Sequence, residues 1–436
     1  MNRLSASELA RAIARGDTTS EAAVTACLAR IDEREHAVRA WVYIDGDAAL
    51  EQARACDRVE PAGPLHGVPI GVKDVIDTAD MPTQMGSPIY AGHRPLADAT
   101  CVSVLRQAGA VILGKTVTCE FAGVTPGPTR NPVDLRHTPG GSSSGSAAAV
   151  ADFMVPAAFG TQTGGSVLRP AAFCGVVGFK PSFGRYLRTG IKFAAESFDT
   201  IGTIARTVED VELLDDVLVG RRSGPKPAAT RPVIGICKTH LWSTARPETV
   251  AAIEHVASSF KNSNARMTDV TLPAIFADLT VARARINAYE RARGMAYEWH
   301  RHREALSERL RTTIAEGFAM SPEDYWSARA LLAQCRALLA EAMKDVDVLL
   351  TPCVPGEAPS GLAYTGEPRF QELWTALHVP AISVPAGRGP AGLPTAVQLV
   401  GKAGQDERLL GVARWLSTLM TTLMTTDQHG FEEGHQ

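Results

Sequence analysis

One lysine and two serine-rich segments are the residues whose types and settings suit proton transfer and nucleophilic attack. Lys73 follows the apolar run 68–72, and the glycine- and serine-rich segments lie at 140–146 and 160–166. A lysine in an apolar setting has its ammonium form disfavoured, so it can act as a base near neutral pH. A serine needs such a base to become a nucleophile, and two glycines before Ser166 would let backbone amides converge on a developing oxyanion. From these residues alone, a surface lysine and two ordinary turns stay open as the alternative.

A second chemical pattern lies at 109–116, where the sequence matches the phosphate-loop pattern G-x-x-x-x-G-K-T. A phosphate loop follows a strand, and its middle residues form a loop whose amides face the ligand. Here the middle residues are Ala-Val-Ile-Leu, which are typical of a strand, and 99–108 favours a helix. We therefore predict a helix–turn–strand passage rather than a nucleotide site.

A third pattern, G-x-S-x-G at 141–145, would make Ser143 the nucleophile of a hydrolase elbow. The elbow requires a buried strand directly before the serine, and an acid and a histidine further along the chain. Residues 137–140 are a poor strand ending, and no later histidine stands in a distinctive context. We favour Ser166 over Ser143 as the nucleophile, with the elbow kept as the alternative.

Strands and helices that alternate along the chain must hold these segments in place. Helices are predicted at the N-terminus, where Ser5 and Glu8 fit a capping box, and over 275–345, with Leu331 and Leu338 among the inward positions. Predicted strands lie at 68–72, 110–113, 233–236, 346–350, 381–384 and 395–400. This alternation predicts an α/β sheet with helices packed on its faces.

Composition excludes several classes of function. The chain has 44 Lys and Arg against 47 Asp and Glu, a formal net charge of −3, which gives no electrostatic reason for nucleic acid or a membrane surface as partner. No run approaches the about 18 apolar residues of a membrane helix, and the N-terminus becomes polar too early for a signal peptide. The eight cysteines include no C-x-x-C pair, so we expect neither a zinc site nor a disulfide framework. A cytoplasmic protein is the expectation.

Taken together, these segments resemble the amidase signature family. Residues 140–180 look like that family's defining segment, and the 24-residue spacing between Ser142 and Ser166 is also the family's. The resemblance extends from residue 67 to residue 394, so it covers most of the chain. It implies an α/β fold with a single large mixed β-sheet surrounded by α-helices. We expect one domain over 1–424, and the polar segment 425–436 is predicted to be a disordered tail.

The resemblance also implies a role for each residue of the chemical segments. Ser166 would be the nucleophile, Ser142 a bridging serine on a cis peptide bond, and Lys73 the base. The oxyanion hole would be formed by the backbone amides of Thr163, Gly164, Gly165 and Ser166. The reaction would pass through an acyl-enzyme and would need no metal, nucleotide or other cofactor.

Two departures from the common family pattern bear on the substrate. Gln162 stands where the family commonly has aspartate, and Arg169 lies three residues after the nucleophile rather than two. Both features are similar to malonamidase-like members, which act on small amides that carry a carboxylate. Arg169 and Ser143 are therefore predicted to bind substrate, because a planar guanidinium suits a carboxylate. A structural ion pair is the alternative for Arg169.

The function that this resemblance implies is hydrolysis of a C–N amide bond in a small molecule. Alternatives within the family are the glutaminase component of a glutamyl-tRNA amidotransferase, which requires a partner protein, and a carbamate or aryl-amide hydrolase. A catalytically inactive binding protein is disfavoured because all three triad positions are occupied by the expected residues. No nucleic-acid or membrane partner is expected, and the oligomeric state is left open between monomer and homodimer.

Overall fold

The computed structural model describes residues 1–222, 231–263 and 265–430, with 421–430 described by their backbone alone. Within these residues eleven strands form one sheet. In chain order they are β1 (Trp41–Ile44), β2 (Pro69–Lys73), β3 (Val111–Thr116), β4 (Ala157–Gln162), β5 (Val177–Lys180), β6 (Thr200–Ala205), β7 (Val233–Ile236), β8 (Arg266–Asp269), β9 (Val348–Pro352), β10 (Ala381–Arg388) and β11 (Pro394–Gly401).

Helices connect these strands and lie against them. The α-helices are α1 (Ala6–Ala14), α2 (Ser20–Val38), α3 (Gly46–Asp57), α4 (Thr100–Gln107), α5 (Ser144–Ala151), α6 (Leu168–Cys174), α7 (Val208–Leu218), α8 (Pro247–Asn262), α9 (Leu279–Gly294), α10 (Ala296–His302), α11 (Glu308–Ala319), α12 (Pro322–Ala342), α13 (Arg369–Ala376) and α14 (Asp406–Gly430).

The sheet is mixed, and both of its faces are covered. The strand order is β1-β3-β2-β4-β6-β5-β10-β11-β9-β7-β8. Strand β2 runs parallel to β3 and β4, β7 runs parallel to β8 and β9, and the remaining neighbours are antiparallel. Along β3, Ile112 packs into one apolar core whereas Val111 and Leu113 pack into another, because successive strand residues point to opposite faces. The predicted α/β fold, a single large mixed sheet surrounded by helices, is confirmed.

The parallel strands bring the chemical segments to one edge of the sheet. Because β2 and β4 are parallel neighbours, Lys73 at the end of β2 and Gln162 at the end of β4 lie at the same edge. The second serine-rich segment begins within strand β4 and continues past its end, and the last residues of the first segment form the start of helix α5. The backbone N–H of Ser143 donates to the Ser166 carbonyl over 3.2 Å, so the two segments lie side by side.

Two local predictions are confirmed in detail. Ser5 caps helix α1 and exchanges hydrogen bonds with Glu8, as the capping box predicts. Residues 109–116 form the turn after α4 and then strand β3, which is the predicted helix–turn–strand passage. The Lys115 side chain within this match is buried, and its Nζ donates to the Ile76 carbonyl over 2.8 Å. This lysine therefore has a structural role in the protein interior.

Helix α14 differs from the expected course of the C-terminus. It continues to Gly430, past residue 425, where the sequence predicts the start of a disordered tail. A helix that has already formed extends at lower cost than a new one nucleates, which favours this continuation. Residues 431–436 lie outside the described residues, so disorder there and the single domain over 1–424 stay predictions.

Candidate active site

Lys73 is the centre of the buried polar cluster at the end of β2. Its Nζ lies 2.8 Å from the Ser142 hydroxyl, 2.8 Å from the Thr161 hydroxyl and 3.3 Å from the Thr161 carbonyl. The side chain is fully buried, and this burial lowers the pKa of Lys73 from 10.5 to about 7. The amine is therefore neutral in a large share of molecules near neutral pH and can accept a proton. The alternative of a surface lysine is wrong.

Ser142, in the first serine-rich segment, lies beside Lys73. The peptide bond between Gly141 and Ser142 is cis, as the family resemblance implied. The Ser142 carbonyl accepts a hydrogen bond from the Cys119 N–H over 3.2 Å, and the residue is buried. Its hydroxyl is left facing the Lys73 amine.

The turn that contains Ser166 presents a row of backbone amides. Within the described part of the chain, these N–H groups donate to no protein acceptor. They belong to Thr163, Gly164, Gly165 and Ser166. Such a row of unpaired donors, placed between strand β4 and helix α6, is the arrangement that an oxyanion hole requires.

Three residues outside the predicted set hold this turn in shape. The Gln162 amide oxygen accepts from the Val167 and Leu168 N–H groups over 2.9 and 3.1 Å, and its nitrogen donates to the Thr375 hydroxyl over 3.0 Å. The Thr375 hydroxyl lies 2.6 Å from the Gly164 carbonyl and donates to it. The Asp199 carboxylate accepts from the Thr163 hydroxyl.

These supporting residues differ in how visible they are in the sequence. Gln162 lies inside the second serine-rich segment and is recognisable in the sequence as a departure from the family pattern. The sequence does not reveal that its side chain caps helix α6. Asp199 and Thr375 lie 36 and 213 residues from their partners in the turn, Thr163 and Gln162. No local signal marks contacts of such separation.

Ser143 occupies a different position from the other predicted site residues. Its hydroxyl is buried against strand β4, where it accepts from the Thr161 N–H over 3.3 Å. Residues 117–143, all of which the structure describes, contain no strand, so the geometry of the hydrolase elbow is absent. Binding of substrate by Ser143 stays a prediction, and its hydrogen bonds give it a structural role.

Arg169 is buried beside the cis peptide with part of its guanidinium unpaired. Its Nη2 donates to the Gly141 carbonyl over 2.6 Å and to the Thr365 hydroxyl over 3.2 Å. Its Nε and Nη1 are buried and have no hydrogen-bond partner among the described residues. No carboxylate among the described residues forms an ion pair with it. The structural ion pair, which was the alternative role for Arg169, is therefore not observed among them. An anion is what two unpaired guanidinium nitrogens would bind.

The comparisons with known proteins agree with this geometry. The family model described as Amidase matches residues 22–410, which include every residue of the site. This chain belongs to the amidase family. It is therefore an enzyme that hydrolyses C–N bonds of amides.

Curated relatives of this amidase cover nearly its whole length. The chain is 34% identical to the glutamyl-tRNA(Gln) amidotransferase A subunit of Roseiflexus sp. (strain RS-1), across 94% of this chain and 95% of the relative. It is also 34% identical to the protein of the same name in Nitratidesulfovibrio vulgaris (strain DP4), across 97% and 98%.

Solved amidase structures share the fold. The crystal structure of one amidase superposes with a TM-score of 0.88 at 33% identity, over 95% of this chain and 99% of the other. The native peptide amidase from Stenotrophomonas maltophilia gives 0.83 at 27% identity, over 96% and 97%. Among the residues described, no helix combines the length and apolar character that crossing a bilayer requires.

Proposed function

We propose that Lys73, Ser142 and Ser166 form a catalytic triad that hydrolyses an amide through an acyl-enzyme. Lys73 takes the Ser166 hydroxyl proton by way of Ser142, and the Ser166 oxygen attacks the amide carbon. Ser142 then passes a proton to the amide nitrogen, the C–N bond breaks, and the amine leaves. Water attacks the resulting ester and releases the acid and free Ser166. The 2.8 Å contact between the Lys73 amine and the Ser142 hydroxyl supports this route.

The turn before helix α6 would stabilise the charge that develops on the substrate oxygen. The four unpaired amides of Thr163, Gly164, Gly165 and Ser166 form the proposed oxyanion hole. Gln162, Thr375 and Asp199 fix the turn from behind, so these donors need little reorganisation during the reaction.

The proposed substrate is a small primary amide that carries a carboxylate, and the observation that carries this proposal is the buried, partly unpaired guanidinium of Arg169. Its Nη2 touches the carbonyl of Gly141, the residue that shares the cis peptide with Ser142. The Arg169 guanidinium therefore lies beside the peptide bond that carries the bridging serine. This closeness favours a short molecule such as malonamate over a long one.

A second candidate is the ammonia-producing component of a glutamyl-tRNA amidotransferase. The curated relatives carry the name of that component and match this chain almost from end to end, so they favour this candidate over the malonamidase-like assignment. Glutamine also carries a carboxylate, which Arg169 could pair with. In this role the chain would act with partner subunits.

One assay separates the two candidates. The purified chain is incubated alone with malonamate, with glutamine and with a neutral amide and a carbamate of similar size, and ammonia release is measured. Turnover of malonamate by the isolated chain supports the first candidate. Glutamine turnover that requires co-expressed partner subunits supports the second.

The role of Arg169 is tested with Arg169→Ala and Arg169→Lys in the same assay. Loss of a desolvated charge partner should reduce turnover of acidic amides by roughly a hundredfold or more relative to neutral amides. Lysine keeps the charge but loses the fork of donors, so partial rescue on acidic amides alone is expected. Equal loss on acidic and neutral amides, with a lowered melting temperature, would contradict carboxylate recognition.

A further inference from the structure

We propose that a second pocket, separate from the triad, binds a small anion with several negative charges, either phosphorylated or polycarboxylic. The pocket has a volume of about 690 Å³ and lies between residues 188–197, helix α9 and helix α12. This volume is in the range of small-molecule sites. Five cations and only two carboxylates line it. The cations are Arg188, Lys192, Arg293, Arg329 and Arg336.

The four arginines of this pocket make no ion pairs within the described residues. Arg188 donates to the Asp199 carbonyl over 3.1 Å and Arg336 donates to the Ala376 carbonyl over 2.9 Å. Arg293 donates to the Gly317 carbonyl over 3.1 Å. Neutral acceptors hold these guanidinium groups in place without neutralising their charge, so the pocket keeps an excess of positive charge.

Arg329 follows the same pattern, whereas Lys192 does not. Arg329 donates to the Tyr325 hydroxyl over 2.9 Å. Lys192 pairs with Glu298 over 2.6 Å, so its charge is already compensated. The arginines therefore provide the net charge that an anion would meet.

The two carboxylates of the pocket offset only part of the charge of its four unpaired arginines, and the histidine adds none. Glu290 accepts hydrogen bonds from the Ser197 N–H over 2.8 Å, from the Ser197 hydroxyl, and from the Tyr325 hydroxyl over 2.9 Å. Glu196 is exposed at the rim. Burial lowers the pKa of His378 to about 3, so this ring is neutral at physiological pH.

Helix α9 contributes different side chains to the pocket and to the surroundings of the catalytic loops. Arg283 on this helix pairs with Glu372, which packs against Gly164 of the proposed oxyanion hole. Ile286 and Arg293 on a neighbouring face of the same helix line the pocket. None of the triad residues lines it.

The aromatic side chains of the pocket favour a compact anion over a flat ring as the ligand. Tyr289 stacks on Tyr325 with ring centroids 4.1 Å apart, and Phe183 stacks on His378 at 4.0 Å. Stacking covers one face of each ring, and Arg293, Arg329 and Arg188 lie over the rings of Tyr289, Tyr325 and Phe183. The guanidinium forks stay available, and their geometry matches phosphate and carboxylate oxygens.

The test is calorimetric titration of the whole chain with pyrophosphate, citrate and acetate at one fixed ionic strength. We expect saturable one-to-one binding of pyrophosphate or citrate and none of acetate. Binding of pyrophosphate alone identifies a phosphorylated ligand, and binding of citrate alone identifies a polycarboxylate. Arg293→Ala and Arg329→Ala should each weaken binding by about tenfold or more, because a charged hydrogen-bond donor is lost.

Two matched variants make the test specific. Arg285→Ala removes the same charge from an exposed position of the same helix and should leave binding unchanged. Arg169→Ala removes the catalytic-site arginine and should also leave it unchanged. The proposal is overturned if none of the anions binds, if Arg285→Ala weakens binding as much as Arg293→Ala, or if binding is lost only in Arg169→Ala. Loss of amide hydrolysis by well-folded Arg329→Ala would also overturn it, because the pocket would then belong to the substrate site.

Discussion

Two buried serines, Ser143 and Ser166, lie in neighbouring segments of the fold, and we propose a chemical role for one and a structural role for the other. Ser166 lies in a turn of unpaired amides, whereas the Ser143 hydroxyl is engaged by the Thr161 backbone. We expect Ser166→Ala to abolish turnover and Ser143→Ala to retain most of it while costing about 1 kcal/mol of unfolding free energy. Amide hydrolysis and urea unfolding of both variants check this. Activity retained in Ser166→Ala and lost in Ser143→Ala would contradict the assignment of the nucleophile.

The pKa of Lys73 sets the expected pH dependence of acylation. Because burial lowers this pKa to about 7, the neutral amine that accepts a proton becomes populated as pH rises through that value. We expect kcat/KM to rise from pH 6 to pH 8 and then to level off. Lys73→Ala should lower kcat/KM by about 10²–10⁴ and should lose this inflection. The same inflection in Lys73→Ala would show that another group is the base.

At the residue scale, the sequence alone indicates the residues proposed to react but not those that hold them in place. Lys73 and Ser166 stand in segments whose glycines and apolar neighbours are visible along the chain. The Thr161 hydroxyl on Lys73 and the Asp199 carboxylate on the oxyanion turn depend on strand pairing. The unpaired nitrogens of Arg169 likewise depend on the tertiary fold, which places no acceptor of the described residues within reach of them.

Helix α5 shows how closely the elements approach each other around the site. A Cβ on Gly145 would lie 2.1 Å from the Ala40 carbonyl oxygen and 2.4 Å from the Val117 nitrogen, both of them backbone atoms. Around Gly411 in helix α14 there is no atom within 4 Å of such a Cβ. We expect Gly145→Ala to lower the free energy of unfolding by about 3 kcal/mol or more. Gly411→Ala should raise it by roughly 0.5–1 kcal/mol. Urea unfolding of both variants measures the two changes. Equal unfolding free energies for the two variants would contradict the prediction.

The elements that sequence patterns predict correctly are those with regular apolar spacing. The predicted run 233–236 coincides with β7, and the predicted start of β10 at residue 381 is also correct. Strand β4, with the residues Ala-Ala-Phe-Gly-Thr-Gln, carries no β-branched alternation, and pairing with β2 and β6 determines its conformation. In α12 the fully buried leucines are Leu332 and Leu339, one residue after each predicted position, whereas Leu331 and Leu338 are partly buried at the side of the face that packs on α9.

Across the whole molecule, buried lysines and buried thiols bind protons differently in the folded and unfolded chain. Burial lowers the pKa of Lys180 to about 7 and that of Lys115 to about 8, from 10.5. The unfolded chain then binds more protons between about pH 7 and 10.5, so stability rises with pH in that window. Burial raises the pKa of thiols such as Cys101 from 9.0 to about 12, so their contribution is present below pH 9 and is lost as pH rises towards 12. Together these groups predict maximum stability near pH 8–9.

Lys180 offers the clearest test of this pH dependence of stability, because it takes no part in the proposed reaction. Its Nζ donates to the Pro181 and Val379 carbonyls over 2.7 and 2.6 Å. Lys180→Met removes the titrating group at similar volume. The two carbonyls lose their donor at every pH, so the informative quantity is the slope of unfolding free energy against pH. Between pH 7 and 9 this slope should fall by up to about 1.4 kcal/mol per pH unit, which corresponds to one proton. Urea unfolding in reducing buffer measures it, with exposed Lys261→Met as the control that keeps the wild-type slope. A wild-type slope in Lys180→Met would mean that this buried lysine keeps its proton in the folded protein.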